Sequence, residues 1–316
     1  MITNTVLLGT GPMAVEYSKI LNAMHLPFKV IGRSDDSVKK FQETTGIDAI
    51  AGGYERFFAD NKTNFTHAII AVGEKKLGEA ARAAIDAGIL TILVEKPGGI
   101  DSADIRGASQ LAADKNAQVL VGYNRRFYAS VEKAKSIIAE DGGVLSFNFE
   151  FTEWGHVIES IQKEEGVKEN WFLANSSHVI DLAFHLGGAP QVLNAHTSGS
   201  LSWHPNAAIY AGAGVTKAGA LFSYQANWQA PGRWALEILT RKNRLYFRPI
   251  EQLKIQKLGS VALEDVILDD ALDCDFKPGL FKQTEAFFNN PSLLPSIEEQ
   301  VQMLSWYEKI NSPSVM

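Results

Sequence analysis

Cysteine is almost missing from this chain: Cys274 is the one thiol in 316 residues. An intramolecular disulfide is therefore excluded, and so is a zinc site built on clustered thiolates. A reducing, cytoplasmic setting is expected. Positive charge is not in excess either, since 30 Lys and Arg stand against 36 Asp and Glu, a net charge of -6, and no block of five or six like charges occurs. Nucleic acids and anionic membrane surfaces select for such blocks, so neither is expected as a partner. No apolar run approaches the roughly 18 residues of a spanning helix. The opening residues Met1-Ile2-Thr3-Asn4-Thr5 place no cationic segment ahead of an apolar stretch, so no signal peptide is expected. Internal repeats and low-complexity segments are missing too.

What the chain does have is 46% hydrophobic residues over a length that suggests two domains. From Thr5 to about Val121, short apolar runs (6–8, 28–31, 68–72, 90–94 and 118–121) alternate with helical patterns such as Leu77, Ala80, Ala81, Ala84 and Ile85. Near-continuous apolar strands separated by helices indicate a parallel sheet covered on both faces. Residues 1–121 are thus expected to form a doubly wound α/β domain. Beyond Gly122, segments 145–153, 191–198, 208–214, 218–228, 234–239 and 245–247 read as strands of a mostly antiparallel sheet. A helix at 177–186 interrupts them, and helices at 280–288 and 296–310 close the chain. Residues 122–316 are expected to form an α+β domain with a large open sheet.

Four groups of residues point to chemistry. Gly9-Thr10-Gly11-Pro12-Met13-Ala14 follows the first strand and opens a helix. Gly9 suits a tight turn, Gly11 lets backbone approach a pyrophosphate, and Ala14 allows close packing of helix on strand, with the helix N-terminus facing the anion. About twenty residues on, the second strand ends in Arg33-Ser34, where an enzyme specific for NAD places an acid. The cation and hydroxyl favour the 2′-phosphate of NADP over NAD. Alternatively Arg33 stacks on the adenine and Asp35 or Asp36 reaches the ribose. Glu95-Lys96-Pro97 ends the fifth strand, placing a cation at the carboxyl edge of the sheet. Asp181 and His185 lie four apart, on one face of a helix, as an acid–base pair or a plain ion pair. His178, Asp181 and His185 form a short potential metal ligand set, but no third element accompanies them, and no metal is expected. His25, His67, His196 and His204 stand without partners and read as structural.

Taken in order, Gly9-x-Gly11-x-x-Ala14, Glu95-Lys96-Pro97, Gly122-Tyr123-Asn124-Arg125-Arg126-Phe127 and Asp181-x-x-x-His185 resemble the glucose-fructose oxidoreductase/inositol dehydrogenase (Gfo/Idh/MocA) family. The resemblance implies an N-terminal Rossmann domain, a C-terminal domain with an open sheet, and transfer of a hydride between a nicotinamide and a hydroxyl-bearing carbon of a sugar, cyclitol or nucleotide-sugar. It implies that Lys96 lies beside the nicotinamide and that Asp181 and His185 face the substrate. His185 would then take the hydroxyl proton, Asp181 would orient it, and Lys96 would polarise the oxygen, or Lys96 would itself be the base. On the cofactor side the expected residues are Gly9 to Ala14, Arg33, Ser34, Val72, Gly73, Glu95, Lys96, Pro97 and Asn124. The substrate is expected to meet Lys96, Tyr123, Arg125, Trp154, His156, Trp171, Asn175, His178, Asp181, His185 and Arg233.

The segment Ala71-Val72-Gly73-Glu74-Lys75-Lys76-Leu77 departs from the Thr/Ser-Pro and Asn-His that many members carry there. Segments around 151–154, 170–172 and 230–234 resemble a branch associated with bacterial surface-polysaccharide sugar metabolism. An open sheet with an exposed face also predicts a homodimer or homotetramer. The reading of another class is a sensor that binds a dinucleotide and a sugar without turnover, which the presence of both Lys96 and His185 disfavours.

Overall fold

The computed structural model describes residues 4–60 and 64–312. They form two compact units. The first holds the chain up to Tyr123 together with Leu280–Met303, and the second holds Asn124–Gly279 and the chain from Leu304. The sequence had suggested one domain for all of 122–316. The difference lies in 280–303, and its physical reason is the edge of the first sheet.

In the first unit, strands β1 (Thr5–Leu8), β2 (Phe28–Ile31), β3 (Ala49–Ile50), β4 (His67–Ile70), β5 (Thr91–Glu95) and β6 (Gln118–Gly122) alternate with helices α1 (Pro12–Ala23), α2 (Asp35–Thr45), α3 (Gly53–Asp60), α4 (Leu77–Asp86) and α5 (Ser102–Lys115). All pairings are parallel, in the order β3-β2-β1-β4-β5-β6. This is the doubly wound Rossmann order, with its reversal between β1 and β4. Strand β1 is wholly buried, as its apolar run dictates. Helix α4 buries Leu77, Ala80, Ala81, Ala84 and Ile85, the stripe read from spacing. The outer strand β6 would leave an open edge. Residues 295–296 cover it: the Val121 N–H donates to the Pro295 carbonyl at 2.8 Å, and Leu120 bridges Ser296. Two late helices, numbered α10 and α11 below, flank that segment.

The second unit contains α6 (Ala129–Glu140), β7 (Ser146–Glu150), α7 (Gly155–Ser160), α8 (Ser177–Gly187), β8 (Pro190–Ser198), β9 (Ile209–Thr216), β10 (Leu221–Asn227), β11 (Ala235–Leu239), β12 (Asn243–Phe247), β13 (Lys254–Lys257), β14 (Glu264–Asp265) and α9 (Ala271–Asp275). α10 (Leu280–Asn289) returns to the first unit, and α11 (Ile297–Asn311) is divided between the two. The eight strands run β14-β13-β12-β11-β7-β10-β9-β8, antiparallel except for β7 against β10. Alternation buries Phe147 and Phe149 of β7, Phe222 and Tyr224 of β10, and Leu236 and Ile238 of β11. Helix α8 covers this face, with Phe184 edge-on to Phe222 at 5.1 Å. The approach is close at Gly187, where a Cβ would lie 2.2 Å from the Phe147 ring. Every residue of α8 except His185 is buried.

Candidate active site

At the reversal point, β1 ends in Gly9, whose N–H donates to the Ile31 carbonyl at 2.8 Å. Its φ of +120° and the 2.3 Å that would separate a Cβ from the Ala71 carbonyl oxygen admit glycine alone. Gly11, the N-cap of α1, differs: its φ is -79°, and a Cβ there meets nothing within 4 Å. The helix starts on Pro12 with no side-chain cap and no acid in its first turn. The Met13 and Ala14 amides therefore lack an intrahelical acceptor at the positive end of the helix dipole, and Gly11 and Pro12 beside them are exposed. Ala14 is fully buried. Val72 and exposed Gly73 continue from the end of β4, beside the end of β1. Ligands of open α/β sheets bind in this crevice, and the open space at Gly11 with uncapped amides fits the pyrophosphate of a dinucleotide.

At the end of β2, a Cβ on Gly32 would press on the Thr10 and Val38 side chains, so this turn sits against the glycine loop. Arg33 follows it and is exposed. The Ser34 hydroxyl accepts from the Ser37 N–H at 3.4 Å in a capping box that starts α2. It has a structural task that its expected part in cofactor binding did not anticipate. Asp35 and Asp36 form the first turn of α2.

At the end of β5, the Tyr17 hydroxyl donates to Glu95 at 2.7 Å and accepts from Gln283 at 2.9 Å. Burial, then Glu95, pushes the Tyr17 phenol well above its ordinary range, so it remains a donor. Gln300 donates to the Pro97 carbonyl at 3.1 Å and to the Tyr123 hydroxyl at 3.0 Å. Tyr123, expected at the substrate, is 1% exposed and serves this clamp instead. Lys96 stands half-buried in the turn so fixed, before a cis bond to Pro97.

In the second unit, Asp181 and His185 do share one face of α8, but the expected Asp181–His185 orientation is not what forms. Arg126 donates to both carboxylate oxygens of Asp181, at 2.8 Å from Nε and 2.6 Å from Nη2. A planar fork occupies a planar acid, and the imidazole is left out. Burial, then Arg126 and Lys135, lowers the pKa of His185 to about 2, and its Nε2 is buried without a hydrogen-bond partner. Arg126 is thus a residue of this region that sequence reading missed, although the doubled Arg125-Arg126 was its signal.

A second cluster surrounds Trp234. The Arg125 guanidinium carbon lies 4.7 Å from the Trp234 ring centre, and that of Arg233 lies 4.5 Å from it and 5.0 Å from Trp154. Glu153, 1% exposed, accepts from Asn175 at 2.9 Å and Ser176 at 2.8 Å, and faces Arg233 at 3.5 Å. Burial raises its pKa, against the lowering pull of Ser176 and Arg233. Buried His178 completes the group, its ring 6.0 Å from Trp234. A short π-helix, Phe172–Ser176, aims Asn175 and Ser176 at Glu153 just before α8.

Of the other expected contacts, Trp171 and Asn124 are engaged within the fold and His156 is exposed. Trp171 packs edge-on to Trp203 at 6.3 Å, in a stack that continues to Trp228. His156 is exposed on α7. Asn124 is buried and donates to the Pro278 carbonyl at 2.9 Å, because this amide holds the chain where it leaves the second unit. Among the described residues, no group of three or more His, Cys, Asp or Glu is placed to hold a metal, and no helix is long and apolar enough to cross a membrane.

Fold and first-unit geometry define a class: a protein with a Rossmann domain whose glycine loop lies at the reversal of strand order. Residues 3–123 match the model of the Gfo/Idh/MocA family, described as an oxidoreductase family with an NAD-binding Rossmann fold. The resemblance read from the motifs is borne out. No curated protein matches the chain. Among solved structures, a levoglucosan dehydrogenase in complex with NADH is 20% identical, with a TM-score of 0.79 over 98% of this chain and 95% of that one. A UDP-N-acetylglucosamine 3-dehydrogenase from Acidithiobacillus ferrooxidans is 16% identical, with a TM-score of 0.73 over 98% and 97%. An oxidoreductase from Agrobacterium radiobacter, in complex with NAD+, L-tartaric acid and magnesium, is 14% identical, with a TM-score of 0.76 over 98% and 95%. These likenesses extend the shared fold to the whole chain.

Proposed function

We propose that the protein is an NAD(P)-dependent oxidoreductase acting on a hydroxyl-bearing carbon of a sugar, cyclitol or nucleotide-sugar. The observation that carries this reading is the open, uncapped start of α1 at Gly11, at the reversal point of a Rossmann sheet. Two of the similar structures are dehydrogenases of levoglucosan and of a nucleotide-sugar, which supports a sugar hydroxyl as the reacting group. The Met13 and Ala14 amides would hold the pyrophosphate, and Arg33 a 2′-phosphate, with NADP preferred to NAD. Bound there, the nicotinamide cofactor supplies the hydride acceptor or donor.

Lys96 and His185 are the residues assigned to the hydroxyl proton. His185 starts in the neutral form that a hydrogen-bond acceptor needs, but its depressed basicity makes it a poor final holder of the proton. Lys96 is then the acceptor provided that desolvation by the bound cofactor and substrate leaves its amine neutral, and otherwise it polarises the oxygen. The Arg126–Asp181 pair positions α8 rather than the imidazole. Titration with NADP+ and NAD+ tests the cofactor assignment: NADP+ binds more tightly, and Arg33→Ala removes the difference. Equal affinities in the parent protein would overturn the preference.

The second sheet leaves Val192, Ile209 and Leu221 exposed, which supports a homodimer or homotetramer through this sheet. Light scattering at micromolar concentration checks it, and a monomeric mass refutes it.

A further inference from the structure

Arg125 is largely buried, yet among the described residues its guanidinium makes no hydrogen bond or ion pair. It is held by its face, 4.7 Å from the Trp234 ring centre and 6.0 Å from that of Tyr128. A guanidinium stacked through its face keeps its in-plane N–H donors unspent. None of its nitrogens is sealed from solvent without a partner, so the donors open onto accessible space. The donors are therefore available to a ligand that can displace water from them.

Arg233 shares the same ring. Its side chain is 46% exposed, and its one carboxylate contact, Glu153, is long at 3.5 Å. Glu153 is already engaged through its other oxygen by Asn175 and Ser176. The other acids nearby do not quench the pair. Glu150, which a Cβ on Gly232 would meet at 2.5 Å, is bound by Arg248 at 2.8 Å. Glu251 is exposed and acts on Arg125 only through longer-range attraction. Arg125 and Arg233 also repel each other, and burial holds the Arg125 pKa below its ordinary value. Two like charges on one indole are relieved by an anion that accepts from both.

We infer that Arg125 and Arg233, stacked on Trp234, form an anion-binding element that makes the substrate a sugar bearing a carboxylate or phosphate group. Planar forks fit the oxygens of either group in pairs, and Trp154, 49% exposed, offers apolar ring surface to the pyranose. The inference rests on the proposed sugar oxidoreductase and names its substrate class. Neither arginine is a proton carrier in it, and both are specificity-determining residues.

Calorimetric titration of the full chain tests it with matched sets in gluco, galacto and manno configuration: the neutral hexose, its uronate and its 6-phosphate. In at least one set the uronate or the phosphate binds tenfold or more tightly than the neutral sugar. Arg233→Gln, an exposed position where folding is not at stake, brings that ratio below threefold without changing NADH affinity, and Arg125→Gln does the same. Tight binding of the uronate alone assigns a carboxylate, and of the phosphate alone a phosphate. Ratios within threefold in every set, or a ratio that survives Arg233→Gln, overturn the inference. Reduction of NAD(P)+ by neutral sugars with no anion preference leaves the oxidoreductase intact and removes the anion site. Anion-dependent binding without any NAD(P)+ reduction does the reverse.

Discussion

His185 shows how far one side chain can be read from sequence. Its spacing from Asp181 placed the two on one face of α8 correctly, but the partner was wrong, because Asp181 is taken by Arg126, 55 residues earlier in the chain. No local pattern reveals a partner at that distance. The shift of His185 has a defined sign. The folded protein keeps it neutral down to about pH 2, whereas the unfolded chain protonates near its ordinary value of about 6.5. Its contribution to stability is complete above about pH 6.5 and is lost as pH falls from there toward 2, by at most roughly 1.4 kcal/mol per pH unit. Urea unfolding between pH 7 and 5 should show a falling midpoint, and His185→Gln should flatten that part of the profile. The ring resonances of His185 should not titrate across the same range, and an inflection near pH 6 would contradict the assignment.

At the scale of elements, the glycine loop was the most legible feature, because two constraints act there and both are local. Gly9 is required by backbone: its φ is positive and Ala71 crowds it. Gly11 is not required by its own surroundings, which are open, so only the proposed pyrophosphate would require it. Substitution separates them. Gly9→Ala should destabilise the first unit by several kcal/mol, through strain and a clash with main chain. Gly11→Ala should leave thermal unfolding within about a degree while weakening NADH binding tenfold or more, measured by fluorescence titration. A Gly11→Ala protein that binds NADH unchanged would remove the pyrophosphate from this loop. The strands of the second sheet were legible from alternation, whereas β13 and β14 were not, being short and without a buried residue. Helix α6 was also unread, since its buried face, Ala129, Ser130, Val131 and Ala134, is small and partly polar.

Across the whole molecule, the boundary after Tyr123 is visible as a change of texture, but the return of 280–303 to the first unit is not. That return is made by hydrogen bonds between residues up to 266 positions apart, as in Tyr17 and Gln283. It gives the late helices a function: Gln300 clamps the turn that carries Lys96. Gln300→Leu leaves the Pro97 carbonyl and the Tyr123 hydroxyl without their donor. Denaturation should report a loss of about 1–3 kcal/mol, and kcat should fall more than NADH affinity does, a split that a purely global destabilisation would not give.

In the proposed reaction, the protein uses a nicotinamide cofactor to oxidise or reduce a sugar hydroxyl, with Lys96 handling the proton. The most direct test is the formation or loss of reduced nicotinamide when the full-length protein meets NADP+ or NADPH, and NAD+ or NADH, with neutral, acidic and nucleotide-linked sugars. Sugar-dependent turnover is expected, which Lys96→Met lowers by roughly 10²-fold or more, the scale of a lost acid–base group, while cofactor binding persists. Turnover undiminished in Lys96→Met, or cofactor binding without turnover of any sugar, would contradict that reaction.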